Sequence, residues 1–279
     1  MTTTLMTRTT TARAGVTSDA ATVLTFVVVI GATIASVGGL VVHGLYTDET
    51  AWATAALRGG DLVTLLLVVP GLSAATLFAR RRSVPARLIW GGLLGYGVYN
   101  YAFYVFGAAF NDLFLVHVAV FSASIFALIA WAARLDARAI ATRFDARTPR
   151  RAVAVFLIVV GAVFATLWTA FSLIYAVTGH LTLGAATLSG MHVVFALDLS
   201  LMAPSMVAGG VLLWRRRPWG YVAAIVLCVF GAAYQANLAA AGVFQMNAGV
   251  PGAKLVDPVG AAVLVAFVVA ALAMLRRVR

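Results

Sequence analysis

Charged side chains are scarce in this chain, at 10% of its 279 residues, whereas 63% of the residues are hydrophobic and the mean hydropathy is +1.00. A soluble domain carries about a quarter charged residues, so water would not solvate this composition. The scarcity excludes a soluble globular protein and predicts the lipid bilayer as the main partner. The net charge of +11 does not indicate nucleic acid, because no soluble stretch is long enough to gather the basic residues on one folded domain.

Cysteine and catalytic motifs are also lacking. Cys228 is the single thiol and lies within an apolar run, which excludes an intrachain disulfide, a CxxC redox pair and a thiolate metal site. The sequence contains no HExxH motif, no nucleotide-binding loop and no Ser–His elbow. No catalytic residue and no metal site are therefore predicted, the sequence leans away from an enzyme, and it names no cofactor.

Apolar runs dominate what is present. Eight of them are long enough to cross about 30 Å of hydrocarbon at about 1.5 Å per residue. Backbone polar groups in lipid must be paired, and these runs do not alternate polar and apolar residues, so all eight are predicted to be helices. The predicted fold is an all-α polytopic transmembrane bundle with spans at 20–45, 61–79, 87–110, 113–133, 152–177, 190–214, 219–243 and 257–275.

The basic residues predict the orientation of these spans. Eighteen of the twenty fall on one side, and Arg58 and Lys254 are the exceptions. Basic residues stay cytoplasmic during insertion, so both chain termini are predicted to be cytoplasmic. Arginine outnumbers lysine nineteen to one, which indicates a high-GC bacterial genome and hence the bacterial cytoplasmic (inner) membrane. The eighteen are Arg8, Arg13, Arg80, Arg81, Arg82, Arg87, Arg134, Arg138, Arg143, Arg147, Arg150, Arg151, Arg215, Arg216, Arg217, Arg276, Arg277 and Arg279.

Four segments are predicted along the chain. Residues 1–18 are rich in threonine and predict a disordered cytoplasmic tail. Residues 19–133, the first half, and residues 152–279, the second half, hold four spans each. The basic linker 134–151 predicts a short amphipathic helix on the lipid headgroups. The outer loops are predicted at 46–60, 110–112, 178–189 and 244–256.

The two halves share landmarks in the same order, which predicts a duplicated four-span unit. Four is an even number, so both copies enter the membrane from the same side, as in parallel-repeat membrane proteins. The landmarks are arginine triplets at 80–82 and 215–217, preceding prolines at Pro70 and Pro204, and an aromatic–amide pair nineteen residues after the first arginine of each triplet, Tyr99-Asn100 and Tyr234-Gln235.

Carboxylates within the spans are candidate functional residues, because a charge at bilayer depth costs about 2.5–3.5 kcal/mol on insertion scales. Asp198 is the deepest, seventeen residues before Arg215. It is interpreted either as a proton or cation site facing a cavity, or as a protonated or helix-capping carboxyl bonded to a neighbouring helix. The three carboxylates at predicted outer helix N-termini, Asp61, Asp112 and Asp257, are predicted to be helix caps.

Amide and aromatic side chains recur near the middle of spans three and seven. A single amide in lipid usually joins two helices, for about 0.6 kcal/mol on average. Placement in both halves favours a shared central site, whose aromatic and amide lining suits a neutral or weakly polar ligand such as a quinone, a lipid or a small metabolite. The predicted ligand-binding residues are Asp198, Asn100, Gln235, Tyr99, Tyr234 and His117.

Histidines lie toward the outer side of the predicted spans. Haem or metal ligation would need neutral imidazoles on facing helices, and no i, i+4 histidine pair is present. His117, five residues into span four, is the best candidate for such a ligand. For the histidines as a group, the favoured interpretation is a solvated polar side chain that anchors its helix at the membrane–water interface.

Two sequence stretches carry a resemblance. Residues 99–111, YNYAFYVFGAAFN, and residues 214–221, WRRRPWGY, resemble segments of uncharacterised bacterial eight-span membrane proteins, which implies no function. The 4+4 arrangement with outward histidines also resembles haem A synthases superficially. The chain departs from them in lacking an ExxxH motif, an outer cysteine pair and a histidine in span eight, so that reading is not adopted.

Three functional hypotheses remain open on the sequence. The leading one is a non-enzymatic, transporter-like protein that handles a small molecule or ion at a site between the halves. The second is a membrane-embedded redox or lipid-modifying protein that binds haem or a quinone. The third is an assembly or scaffold protein without a ligand. The sequence does not predict the oligomeric state.

Overall fold

Nine α-helices form the described part of the chain, with no β-strand among those residues. A computed structural model describes residues 9–46 and 49–278, with side chains from residue 20 onward except at position 189. The helices are α1 Thr9–Val41, α2 Ala51–Arg80, α3 Val84–Phe106, α4 Phe114–Ala132, α5 Ala137–Ala141, α6 Arg150–Thr178, α7 in the three consecutive segments Leu188–Leu197, Asp198–Met202 and Ala203–Trp214, α8 Pro218–Asn247 and α9 Pro258–Leu275.

Seven of the described helices are long and apolar enough to cross a membrane, namely α1 from Ala20 onward, α2, α4, α6, α7, α8 and α9. The chain is therefore a multi-pass, all-helical membrane protein. The remaining long helix, α3, has 23 residues but carries four glycines, four tyrosines and Asn100, which lower its hydropathy. Fifteen of its residues are buried within the bundle. An enclosed helix needs no lipid-facing apolar surface, so its composition does not decide whether it crosses.

The first helix boundary after α1 differs from the prediction. A loop was predicted at 46–60, but α2 begins at Ala51, where the Thr50 side chain accepts a hydrogen bond from the Ala53 backbone N–H at 3.2 Å. This N-cap and the alanine-rich turn after it start the helix early. Asp61 therefore lies in the interior of α2, and the prediction that it caps a helix is wrong.

The other two predicted caps have opposite outcomes. Asp257 caps α9, because its carboxylate accepts a hydrogen bond from the Gly260 N–H at 2.7 Å, so that prediction is confirmed. Asp112 does not cap α4: Leu113 occupies the N-cap position with no side-chain bond. Asn111 instead accepts from the Leu113 N–H at 3.0 Å, which turns the chain before the helix begins.

The terminal and linker segments also take definite structure. The helix α1 extends back to Thr9, so residues 9–18 of the predicted disordered tail are helical, and residues 1–8 lie outside the described residues. In the linker, Asp136 caps the short helix α5 by accepting from the Ala139 N–H at 2.9 Å. Ala137 and Ile140 are buried where α5 contacts α8, so this helix packs on protein and not on headgroups alone.

A π-helical turn interrupts both α2 and α7, at Thr64–Val68 and Asp198–Met202. Each turn begins six residues before a proline, Pro70 or Pro204. Proline has no N–H to donate, and in both helices the residue just before it bonds the carbonyl five positions back instead of four. The first side chain of each turn, Thr64 and Asp198, contacts a tyrosine of α3.

The helices α3 and α8 form the centre of the bundle. The helix α8 packs along α2, α3, α7 and α9, while α1 packs on α4 and α6 on α7. The arginine triplets, α5 and the ends of α4 and α9 lie together at one end of the bundle, named here the arginine end, where Arg277 forms an ion pair with Asp145 at 3.7 Å.

The two halves meet asymmetrically. The backbones of α2 and α8 approach closely at Gly59, where an added Cβ would lie 2.5 Å from the Cα of Ala241. The helix α7, by contrast, contacts α3 over only a short stretch. The space left between α7 and α3 opens the cavity that forms the candidate site.

Candidate functional site

A cavity of about 300 Å³ lies between α2, α3, α6, α7 and α8, in the half of the bundle remote from the arginine end. This volume is at the lower limit for small-molecule sites. None of the described residues that line it is acidic, basic or a histidine. Seven of its fifteen described lining residues are aromatic, namely Trp52, Tyr99, Phe103, Tyr104, Phe164, Trp168 and Tyr234, and Asn237 and Gln245 are its amides.

Asp198 lies directly behind this wall and is fully buried. One carboxylate oxygen, Oδ1, accepts a hydrogen bond from the hydroxyl of Tyr99 in α3. The other, Oδ2, accepts from the indole N–H of Trp168 in α6 at 2.7 Å. Because the π-helical turn positions Asp198 at its start, the carboxylate joins three helices and orients two cavity-lining rings without lining the cavity itself.

The rings around Asp198 are fixed by further aromatic contacts. Tyr99 and Tyr234 pack edge to face with centroids 4.9 Å apart, and their hydroxyl oxygens are 3.5 Å apart. Trp168 stacks on Phe195 of α7 at 4.3 Å. Such pairs contribute about 0.5–1.5 kcal/mol each beyond area burial, so this side of the cavity is preorganised.

A second buried carboxylate, Asp61, adjoins the opposite side of the cavity. Its Oδ2 accepts from the Tyr46 hydroxyl at 2.8 Å, and its Oδ1 lies 2.9 Å from the hydroxyl of Tyr104, which lines the cavity. Burial and the adjacent Asp61 raise the pKa of Tyr46, so this phenol remains a donor. Gly39 leaves room for the pair, since a Cβ there would lie 2.5 Å from the Tyr46 oxygen and closer still to Asp61.

The hydrogen count at Tyr104 indicates the protonation state of Asp61. The Tyr104 hydroxyl carries one hydrogen but lies 2.9 Å from two acceptors, Asp61 Oδ1 and the Leu57 carbonyl. If Asp61 is ionised, only one of these two acceptors can receive the single Tyr104 hydrogen. With a proton on Oδ1, Asp61 donates to Tyr104 and Tyr104 donates to Leu57, so both contacts are satisfied. The geometry therefore favours a neutral Asp61.

Asp198 presents the opposite case. Trp168 can only donate, and the Tyr99 hydroxyl donates to the other oxygen, so an ionised Asp198 receives one hydrogen on each oxygen. Hydrogen bonds to a carboxylate are roughly twice as strong as neutral ones. Of the two carboxylates beside the cavity, Asp198 is the one that the surrounding donors suit as an anion.

The predicted ligand-binding residues only partly converge on this cavity. Tyr99 and Tyr234 line it, and Asp198 lies behind Tyr99. Asn100 is buried outside the wall, where its Oδ1 accepts from the Nδ2 of Asn237 at 3.1 Å. Asn237 itself lines the cavity, and it lies three residues after Tyr234 on the same face of α8.

The remaining two predicted residues lie elsewhere. Gln235 lines a separate cavity of about 180 Å³ beside Lys254 and the start of α9. His117 is fully buried behind Tyr104, with ring centroids 4.8 Å apart, and neither of its nitrogens has a hydrogen-bond partner among the described groups. Sequence reasoning missed Trp168 and Asp61. A tryptophan in mid-span, away from both aromatic belts, was the available signal for the first.

Neither a metal cluster nor a known relative assigns a function. The described residues contain no group of three or more His, Cys, Asp or Glu side chains that could hold a metal ion. No family model matches the chain, and no curated protein or solved structure matches it. Function must therefore be inferred from the chemistry of the site.

Proposed function

We propose that this chain is a transporter-like membrane protein that binds a small organic cation in the cavity between its two halves. The observation that carries the proposal is the position of a buried carboxylate, Asp198, immediately behind an aromatic wall whose described lining contains no basic side chain. A buried charge requires a partner. Within this cavity that partner is a cationic ligand.

The aromatic lining suits a cation chemically. The faces of Trp and Tyr rings attract ammonium groups, most strongly where water is excluded. Tyr99 donates its hydrogen to Asp198, and in the satisfied arrangement Tyr104 donates its hydrogen to Leu57. Each of these hydroxyls then presents only lone pairs to a ligand, so Tyr99 and Tyr104 accept hydrogen bonds from an amine.

We further propose eight spans, with α3 crossing the membrane, and a duplicated four-span unit. Backbone landmarks recur at a constant offset of 134 positions and support this. The aromatic–amide pairs recur at an offset of 135 positions. They are therefore one residue out of register with the other landmarks, which rotates them by about 100° around the helix axis. The landmarks at 134 are the π-helical turn starts Thr64 and Asp198, the prolines Pro70 and Pro204, the left-handed residues Arg82 and Arg216, and the helix starts Val84 and Pro218.

The unequal contacts between the halves support a transporter-like mechanism. The helix pair α2 and α8 is closed at Gly59, whereas the equivalent pair α7 and α3 is open at the cavity. In parallel-repeat transporters, one repeat moves against the other around a fixed site. Closure of α7 on α3 is the corresponding motion here, and it would enclose a ligand next to Asp198.

The proposal is tested with two probes of matched shape, benzyltrimethylammonium and its uncharged isostere neopentylbenzene. Binding to the full chain in lipid nanodiscs is measured by calorimetry or by quenching of tryptophan fluorescence. We expect at least tenfold preference for the cation, and loss of that preference in Asp198→Asn. Asp61→Asn is the matched control and should retain the preference, because Asp61 is neutral in the satisfied hydrogen-bond arrangement.

Several outcomes would overturn this function. Equal binding of both probes would show that charge is not recognised. Tight binding of a short-chain quinone analogue with no effect of Asp198→Asn would favour the redox alternative. Cation binding without uptake into proteoliposomes, measured with radiolabelled probe, would leave a binding protein and remove the transport step.

A further inference from the structure

A second concave site lies at the arginine end, between Ala21 and Thr22 of α1 and the ends of α2, α3 and α4. Its volume is about 530 Å³. The side chains that define it are Arg80, Arg82, Arg87, Arg134, Trp90 and Trp131. It lies at the other end of the bundle from the aromatic cavity and does not depend on the function proposed there.

The turn between α2 and α3 gathers three of these arginines. Arg80 ends α2, Arg82 adopts a left-handed conformation with φ of 63°, and Arg87 lies in the first turns of α3. A non-glycine residue at positive φ is uncommon and disfavoured by the crowding of its Cβ. The Ser83 side chain caps α3 by accepting from the Ala86 N–H at 3.3 Å, which holds the turn in place.

The charge of Arg80, Arg82 and Arg87 is not neutralised from within the site. None of the described residues that line it is acidic. Arg277 and Asp145, which form an ion pair at this end of the bundle, do not line the cavity. Arg81, the middle residue of the triplet, is turned away and lies over the ring of Phe78 at 5.5 Å. Converging guanidinium groups are suited to bind a phosphate, because each presents a planar fork of donors.

The two tryptophans give the cavity an apolar surface. The Trp90 N–H donates to the Thr25 hydroxyl at 3.0 Å, and the Trp131 N–H donates to the Arg87 carbonyl at 2.9 Å. Both indole donors are engaged within the protein and both rings are largely buried, so the tryptophans offer the cavity a small apolar area and no polar group. A hydrated inorganic ion gains nothing from such a surface, whereas the glycerol and upper acyl chain of a lipid pack against it.

We propose that this cavity binds the phosphate group of an anionic phospholipid from the adjacent leaflet. Arg80, Arg82 and Arg87 contact the phosphate, and Trp90 and Trp131 contact the glycerol and the first acyl carbons. Basic pockets between membrane helices are the places where anionic headgroups bind with geometry as well as charge. A free phosphate shares the same chemistry, and the experiment below separates the two sources.

The second half provides a matched control. A cavity of about 790 Å³ lies at the equivalent turn, but it contains the carboxylate of Asp136 beside Arg138 and Arg217. Arg215 and Arg216 of the second triplet do not line it. The double variant Arg215→Gln/Arg216→Gln therefore removes the same charge from the same kind of turn, without removing a side chain from either cavity.

The test uses the detergent-purified full chain and follows thermal unfolding and native mass spectrometry. The probes are dioleoylphosphatidylglycerol, dioleoylphosphatidylcholine and inorganic pyrophosphate. We expect the anionic lipid to bind and raise the melting temperature, with at least tenfold weaker binding in Arg80→Gln/Arg82→Gln and unchanged binding in Arg215→Gln/Arg216→Gln. Arg87→Gln is the second variant if the double variant does not fold. Arg80→Lys/Arg82→Lys keeps the charge and should restore only part of the affinity, because ammonium groups lack the fork.

The contrary results are distinct. Equal loss in both double variants would show general surface attraction and overturn the site. Stabilisation by pyrophosphate with no effect of the anionic lipid would overturn the lipid assignment and leave free phosphate as the ligand. Equal binding of the zwitterionic and anionic lipids would show that the site does not select for net negative charge and would overturn the assignment to an anionic lipid.

Discussion

The hydroxyl of Tyr99 in α3 donates a hydrogen bond to the carboxylate of Asp198 in α7, and this bond joins the first half of the chain to the second. Contacts between α3 and α7 are otherwise few. Of the two interpretations of Asp198 that the sequence left open, the geometry shows the bond to a neighbouring helix, and the carboxylate lies directly behind a cavity wall without lining the cavity. The same bond positions a cavity ring and connects the halves.

Replacing Tyr99 by Phe should test that bond. The change removes one donor and leaves Asp198 Oδ1 buried without a partner, at a cost of about 1–3 kcal/mol. We expect a melting temperature several degrees lower in thermal unfolding of the purified protein. Tyr175→Phe removes a hydroxyl from an exposed position of α6 and should leave the melting temperature unchanged. Equal effects of the two variants would mean that the Asp198 bond contributes no stability.

Asp61 should tolerate amide replacement better than apolar replacement. In Asp61→Asn the amide N–H₂ can donate to Tyr104 and the carbonyl can accept from Tyr46, as a protonated carboxyl does. We expect Asp61→Asn to remain within about 1 kcal/mol of wild type, and Asp61→Leu to lose about 1–3 kcal/mol because Tyr46 loses its acceptor and Tyr104 loses its donor. Infrared spectroscopy gives the independent reading: a protonated carboxyl C=O band should be present in wild type and absent in Asp61→Asn. Its absence in wild type would refute the neutral assignment.

The sequence predicts those features of the fold that the lipid environment requires. Backbone pairing in the bilayer forces long apolar runs into helices, so seven spans could be located from composition alone. The start of α2 could not, because Arg58, Gly59, Gly60 and Asp61 interrupt the apolar run between the helix start after Thr50 and the rest of the span. Because of that error, Asp61 was predicted to lie at the end of a helix instead of in its interior, and therefore to act as a helix cap.

The site was only half predictable, for a geometric reason. Neighbouring residues of a helix point about 100° apart, so an aromatic–amide dipeptide need not present both side chains to one cavity. Tyr234 lines the cavity and Gln235 faces away, while Asn237, one turn from Tyr234, lines it. Trp168 and Asp198 are thirty residues apart in the chain and lie on different helices, so the hydrogen bond between them left no periodic signal in the sequence.

Gly39 should be irreplaceable even by alanine. An added methyl group would collide with the Asp61 carboxylate and the Tyr46 hydroxyl, so the phenol–carboxyl pair would have to separate. Overpacking of this kind costs about 1–3 kcal/mol. Gly95→Ala is the control, since nothing lies within 4 Å of its added Cβ, and it should stabilise α3 by about 0.5–1 kcal/mol. Thermal unfolding of both variants should therefore shift in opposite directions, and a shift in the same direction would contradict the contact.

The crossing of α3 determines the orientation of everything after it, and cysteine accessibility should resolve it. Arg81 and Asp112 flank α3, and both side chains are exposed. A single cysteine is placed at one or the other position in a Cys228→Ala background. If α3 crosses, a membrane-impermeant maleimide added to spheroplasts should label Asp112→Cys and spare Arg81→Cys, and inverted vesicles should give the reverse. Lys254→Cys should behave like Asp112→Cys. Four crossings, by α4, α6, α7 and α8, separate the two positions, and an even number of crossings returns the chain to the same side of the membrane. Labelling of Arg81→Cys and Asp112→Cys from the same side would leave seven spans. The two halves would then enter the membrane from opposite sides, and a site between parallel repeats would no longer be possible.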